Sequence, residues 1–169
     1  AQLPAWLWGR LENSWGVLDD NAASDADLWL AYTLGEAGRL WNNHRYSSLA
    51  YLLANRILRE ETTAIPGLGL SLLPAPWGFS VGADRYRLNP SYLPLQLTTY
   101  LATRFPNTTW PDVDRASAAL LESSSRSGWV ADWVLAGPDG LMPDPETGAR
   151  GSYDAIRNYL WAGMLPDAN

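Results

Sequence analysis

The chain of 169 residues is long enough for one domain with a sizeable core, and its 18 acidic residues against 12 arginines and no lysine give a formal charge of −6. That balance argues against a nucleic-acid backbone or an anionic membrane surface as partner. With no cysteine and one histidine, His44, a disulfide scaffold is excluded and structural zinc is unsupported, so neither metal nor cofactor is expected. Ala1 to Trp8 does not read as a signal peptide. The longest apolar-rich stretch, Ile65 to Phe79, is broken by Pro66, Gly67, Gly69, Pro74 and Pro76, so no membrane span is expected.

In chain order, residues 3 to 20 are rich in Trp and Gly and read as irregular, with about a turn of helix before Gly9. The acidic cluster of Asp19, Asp20, Asn21, Asp25 and Asp27 lacks the spacing, the glycine and the terminal glutamate of a calcium loop. Ser24 is a natural N-cap for a first helix reaching Trp41, and Asp25 and Asp27 then suit the positive end of its dipole. Leu30, Leu34, Ala37 and Trp41 recur at helical spacing on one face. Leu28, Ala31, Tyr32 and Gly35 do so on another, as expected for a helix buried between two layers. Its acidic start is then expected to open into a polar cleft.

Asn42 to His44 form a short link into a second helix, about Tyr46 to Glu60, making a helical hairpin with His44 solvated in the link. Gly and Pro dominate residues 62 to 88, where extended segments, turns and a small hairpin are expected. Asn89, Pro90 and Ser91 open a third helix, with Pro94 tolerated in its first turn and Pro106 as the stop. A fourth helix spans about Asp112 to Ser124. Trp129 to Trp133 read as a short turn and Pro138 to Gly151 as a loop. Ser152 caps a fifth helix, with Asp154 in its first turn, Ile156, Tyr159, Leu160 and Gly163 on one face, and Pro166 as its end. The class is mainly α, built from helical hairpins.

The unusual count is aromatic: 10 Trp and 8 Tyr beside 2 Phe. Trp and Tyr offer a flat apolar face with a polar edge, which suits the C–H face and hydroxyl rim of a sugar ring. The helix starts echo each other, Ser24-Asp25 and Ser152-x-Asp154 each setting a carboxylate just inside a cap. Paired carboxylates among aromatics, without a Cys, a second His or a Gly-x-Ser-x-Gly elbow, fit glycoside hydrolysis better than nucleophilic Ser or Cys chemistry. Arg157 follows Asp154 by three positions, so one helical turn presents both to the same side.

Ala23-Ser24-Asp25-Ala26-Asp27-Leu28 resembles the signature of glycoside hydrolase family 8. The likeness continues in order through Pro4-Ala5-Trp6-Leu7-Trp8-Gly9, Pro66-Gly67-Leu68-Gly69, Asn89-Pro90-Ser91-Tyr92-Leu93-Pro94 and Ser152-Tyr153-Asp154-Ala155-Ile156-Arg157, with Trp161, Gly163, Met164, Pro166 and Asp167. It points to the branch of endoglucanases encoded alongside bacterial cellulose synthase.

The resemblance implies that residues 1–169 are a single partial domain, a piece of an (α/α)6 barrel lacking the family's N-terminal and C-terminal helices. It implies inverting hydrolysis of β-1,4-glucan, with Asp154 as the general base and Asp25 as the acidic residue holding the distorted sugar. Tyr92, Tyr153 and Arg157 match residues near the same subsite, and Trp8 is a looser candidate for stacking on glucose. The family's general acid is a Glu in a Ser-Glu-Gly-x-Ser-Tyr-Gly motif, and no glutamate of this chain lies in such a motif. The resemblance therefore implies an acid from elsewhere in a longer enzyme, or a substitute such as Glu12 or Glu146, across a dimer if need be. A half barrel exposes an apolar flank, so a homodimer or higher oligomer is expected. The family implies a periplasmic or secreted location. The alternatives are a non-catalytic β-glucan-binding protein and an inactive fragment.

Overall fold

A computed structural model describes residues 2–82 and 84–165. Pro166, expected to end the last helix, and Asp167 lie outside the described residues. The described part is mainly helical, with three small antiparallel sheets.

The first departure from expectation is at the start. Residues 3 to 20 hold no helical turn but a hairpin, β1 (Leu7–Leu11) and β2 (Ser14–Asp19), turning at Glu12 and Asn13. Gly9 faces Gly16 across the pair. A Cβ on Gly9 would collide with the Leu18 side chain, and one on Gly16 would meet Leu11 Cδ1 at 3.0 Å. These glycines give room for cross-strand leucines, whereas in sequence they read as breaks.

Helix α1 (Ser24–Leu40) and helix α2 (His44–Glu60) form the expected hairpin. Ala23, not Ser24, occupies the cap position of α1, and no side chain caps the helix there. Ser24 is the first helical residue, and its hydroxyl is buried. Only one of the two apolar faces is covered: Leu28, Ala31 and Gly35 are buried, whereas Leu30 and Trp41 are exposed. Asn42 adopts a left-handed φ of 47°. The Asn43 N–H then reaches back to the Gly38 carbonyl at 2.9 Å, which ends the helix in a Schellman turn. The Asn43 side chain accepts the Arg45 N–H (3.0 Å), so α2 starts early and His44 is an exposed helical residue rather than part of the link.

The expected small hairpin is β3 (Thr62–Ile65) with β4 (Gly69–Leu72). Strand β5 (Tyr86–Leu88) follows. Asn89 caps not a third α-helix but a 3-10 turn, Pro90–Tyr92, and helix α3 (Leu95–Arg104) starts separately. Pro94 lacks an N–H and disfavours the helical region for Leu93, which separates the two. Helix α4 (Trp110–Ser124) begins one half-turn earlier than expected, with Trp110 fully buried. The presumed loop from Pro138 contains strand β7 (Gly140–Pro143), which pairs with β6 (Val134–Gly137); β6 in turn pairs with β5. Helix α5 (Ile156–Gly163) is last, and its apolar row of Ile156, Tyr159 and Leu160 is exposed.

The core gathers Leu28 and Ala31 of α1, Ile57 of α2, Leu97 and Leu101 of α3, and Val113 and Leu120 of α4, with Leu88 of β5. Thr98 and Thr99 both donate to Asp114 (2.6 and 3.0 Å), tying α3 to α4. Helices α1 and α2 approach closely at Gly38, where a Cβ would stand 2.7 Å from the Ser47 backbone nitrogen. Gly38→Ala is expected to force the hairpin apart and destabilise the fold by about 1–3 kcal/mol. A Tm equal to that of the parent in thermal unfolding would refute the close-packing argument.

Candidate active site

The site is built on the turn between β7 and α5, not on a helix. Ser152 does not cap α5, and Asp154 lies just before the helix rather than in its first turn. The turn is held instead by Asp132, which is 4% exposed. Its carboxylate accepts the N–H groups of Ser152 and Ala155, each at 2.8 Å, and the Ser152 hydroxyl. Burial works against the charge on Asp132, but these donors more than offset it and hold its carboxyl below the ordinary value.

Asp154 thereby joins a closed ring of hydrogen bonds. Its Oδ1 accepts from Arg157 Nη2 at 3.0 Å, and its Oδ2 accepts from Asn89 Nδ2 at 3.1 Å. Arg157 also donates to Ser91 Oγ, from Nε at 3.2 Å and from Nη2 at 2.8 Å. The Ser91 hydroxyl and N–H both donate to Asn89 Oδ1, at 2.7 and 3.0 Å. The ring therefore ties the β7–α5 turn to the 3-10 turn, and Trp161 Nε1 adds a bond to the Ser91 carbonyl (3.1 Å).

Two aromatic contacts bring up the remaining groups. Trp161 of α5 packs on Trp29 of α1, ring centroids 5.7 Å apart, one helical turn from Asp25. The Arg157 guanidinium lies 5.7 Å from the centre of the Tyr92 ring. Burial pushes the Asp25 carboxyl above its ordinary value. The Ala26 N–H it accepts (2.8 Å) and the Arg157 charge oppose that push, and the Asp154 charge adds to it. Tyr92 is also pushed up, first by burial and then by the charges of Asp25 and Asp154. Asp25, Tyr92, Asp154 and Arg157 therefore share one electrostatic neighbourhood.

Tyr92 is supported from behind. Trp133 is tilted against it at 6.2 Å and stacks parallel on Phe79 at 5.8 Å. The Arg87 guanidinium sits 4.5 Å over Trp133. Arg87 in turn is gripped by the buried Asp144, at 2.7 and 3.1 Å, and by Glu146 at 2.9 Å.

Of the residues singled out in the sequence, Asp25, Tyr92, Asp154 and Arg157 converge. Tyr153 neighbours them but is 85% exposed, and Trp8 stands 62% exposed on the β1–β2 hairpin, outside the bonded ring. Glu146 is engaged by Arg87 and Glu12 sits in the hairpin turn, so neither bonds into the ring. Sequence reasoning missed Asn89 and Ser91 as site residues because both were absorbed into a helix start. It missed Asp132 because nothing in Ala131-Asp132-Trp133 shows that its partners lie twenty residues on.

A family model described as glycosyl hydrolases family 8 matches residues 1–169. The chain belongs to that family. It is 46% identical over 170 residues to an endoglucanase of Escherichia coli (strain K12), covering 99% of this chain and 45% of that protein. An endoglucanase of Xanthomonas axonopodis pv. citri (strain 306) is 46% identical over 164 residues, covering 96% and 42%. The crystal structure of an endo-1,4-D-glucanase from Vibrio fischeri ES114 superposes with a TM-score of 0.94 at 53% identity, over 98% of this chain and 48% of that one. That of the endo-beta-1,4-glucanase CMCax from Acetobacter xylinum does so at 0.77 and 27%, over 89% and 49%. This family 8 chain thus spans just under half the length of the curated relatives it matches.

Asp132→Ala removes the anchor of the Asp154 turn. It is expected to cost about 1.5–3 kcal/mol, because hydrogen bonds to a charged acceptor are lost and the Ala155 N–H is left buried. Hydrogen exchange should accelerate at the Ser152 and Ala155 amides, and unchanged protection there would contradict the anchoring role. Because the folded value of Asp132 is depressed, its contribution is present above the unfolded value of 3.8 and fades as pH falls through the folded one.

Proposed function

We propose that this family 8 chain supplies the base side of the active site of an endo-β-1,4-glucanase that inverts the anomeric centre, acting on cellulose or carboxymethyl-cellulose. The observation that carries the reading is the ring around Asp154. A general base must be fixed, yet keep lone pairs free for water. Each Asp154 oxygen accepts one bond in the ring, which leaves further acceptor capacity on both. Asp154 then takes a proton from the water as it attacks the anomeric carbon, while the leaving oxygen is protonated by a glutamic acid about 6.5–9.5 Å away. That acid belongs to the rest of the enzyme.

Asp25, half-buried and pushed toward its neutral form, suits hydrogen bonding to sugar hydroxyls on the opposite wall, with Tyr92 and the exposed Tyr153 beside it. Trp8 is assigned a stacking role further along the glucan, on the strength of its bare ring. The α1–α2 and α3–α4 hairpins are assigned to one incomplete (α/α)6 barrel formed by residues 1–169. A periplasmic or secreted location is assigned on the family resemblance and on the polymeric substrate of this reading.

Release of reducing ends from carboxymethyl-cellulose by an enzyme that carries this chain together with the acid-bearing remainder tests the reading. Asp154→Asn should lower turnover by at least about 10²-fold. The sugar first released by the parent should carry the inverted α configuration. Full activity in the variant, or a β product, would overturn the assignment. The second reading is a glucan-binding protein without turnover. It is favoured by one fact, that no glutamate of the described residues bonds into the ring, and it predicts retained cellohexaose binding without product.

Self-association through α5 completes the reading. Ile156, Tyr159, Leu160 and Met164 are exposed along it, beside an open groove of about 360 Å³ lined by Leu121, Val130 and Leu165. Gln96 and Asn158 line the same groove with their amides buried and unpaired among the described residues. A dimer is expected in sedimentation of the purified chain, dissociating on Leu160→Glu. A monodisperse monomer would refute it.

A further inference from the structure

Beneath the first turn of α1 lies a second pair of acids that the ring does not use. Asp27 is 1% exposed and Glu61 0%. Glu61 closes α2 at the step into β3. Its carbonyl accepts the Leu73 N–H at 2.7 Å, and the Ser24 N–H donates to Pro74 at 3.0 Å, so one short segment joins Glu61 to the start of α1. Ser24 and Asp27 stand one helical turn apart on the side facing it. Ser24 Oγ, Asp27 Oδ2 and both carboxyl oxygens of Glu61 are buried, and no donor satisfies them among the described residues.

Three carboxyl oxygens share one dry place with a single hydroxyl, Ser24, able to donate to only one of them, an unstable arrangement if both acids are ionised. Among the described residues no cation bears on the pair. The charges that weigh on the pair are those of Asp25 on α1 and Glu60 on α2, both acidic, and Glu60 is paired to Arg56 at 2.9 Å. The segment of Leu73, Pro74 and Ala75 contributes nothing that titrates. The Ser24 hydroxyl can serve only one carboxyl oxygen, so the further hydrogen that the pair itself can supply is a carboxyl proton. Burial first, and then the Asp27 charge, push Glu61 up to about 9, and burial raises Asp27 as well.

We propose that Glu61 is a positioning residue: its protonated carboxyl group donates a hydrogen bond to the Asp27 carboxylate and locks the first turn of α1, with Asp25 on it, to the junction of α2 and β3. Asp25 is only two residues from Asp27, so the bridge sets where the Asp25 side chain enters the cleft. Loss of the proton places two like charges in contact and drives the turn away from the junction. The catalytic importance of Asp25 rests on the glucan-hydrolysis reading. The bridge does not, and its test needs no substrate.

Carboxyl carbon NMR titration of the full chain decides the first point. Glu61 should hold its acid form at pH 7 while exposed glutamates are ionised, and an ionised Glu61 there would overturn the proposal. The second point is stability. The folded value of Glu61 lies above the ordinary value of 4.5, so its contribution is complete below that value and is lost as pH rises through about 9. Across that window the folding constant should fall by up to about tenfold per pH unit relative to Glu61→Gln, whose amide donates without titrating. An equal slope in Glu61→Gln would overturn the bridge. The third point separates positioning from mere packing. The Asp25 midpoint should be kept in Glu61→Gln and displaced in Glu61→Ala, and an undisplaced midpoint in Glu61→Ala counts against the role. Should Glu61→Ala not fold, the first two measurements still decide.

Discussion

The Arg157 guanidinium holds two separated pieces of the chain at one point. It pairs with Asp154 ahead of α5 and with Ser91 in the 3-10 turn, while its face lies toward Tyr92. Arginine suits this post because its planar fork donates in several fixed directions at once, which an ammonium group does not. Around it each polar group answers another: Asn89 accepts from Ser91 and donates to Asp154, and Ser91 accepts from Arg157 while donating to Asn89. Such a network is rigid only when complete, so truncating any one member leaves others unpaired.

Hydrogen-bond satisfaction is uneven across the molecule, and the unevenness has a pattern. In the ring and behind it, through Asp144 and Arg87, the charges are matched. Among the described residues, unpaired buried polar atoms gather mainly under α1, at Ser24, Asp27 and Glu61, and in the α5 groove, at Gln96 and Asn158, with Trp110 Nε1 standing apart. The first set is explained by the proposed carboxyl proton, and the second lines the groove beside the exposed face of α5. Both are departures from the near-complete satisfaction of native interiors.

The helices were legible in the sequence because apolar spacing writes them directly, and α1, α2 and α4 came within a few residues of their observed ends. Of the strands, only the β3–β4 hairpin was legible, from the Gly and Pro around it. Gly9 and Gly16 read as breaks, although in the fold they make room for Leu18 and Leu11. The caps failed for a related reason. Ser24 and Ser152 have the right chemistry for local capping, but Ser152 answers Asp132, a residue distant in sequence, and Ser24 is buried. Asp25, Tyr92, Asp154 and Arg157 were found through motif likeness, and the i, i+3 spacing alone foretold the Arg157–Asp154 pair. Asn89 and Asp132, which act through tertiary contacts, left no periodic trace.

The Trp29–Trp161 contact joins residues near opposite ends of the described chain. Such a contact carries the closure entropy of the large loop between them, which the intervening hairpins shorten once they have formed. The cleft therefore depends on the largest loop closure among the aromatic contacts of the described residues. Any nick or delay in the middle of the sequence will be felt first as a missing site rather than as missing helices.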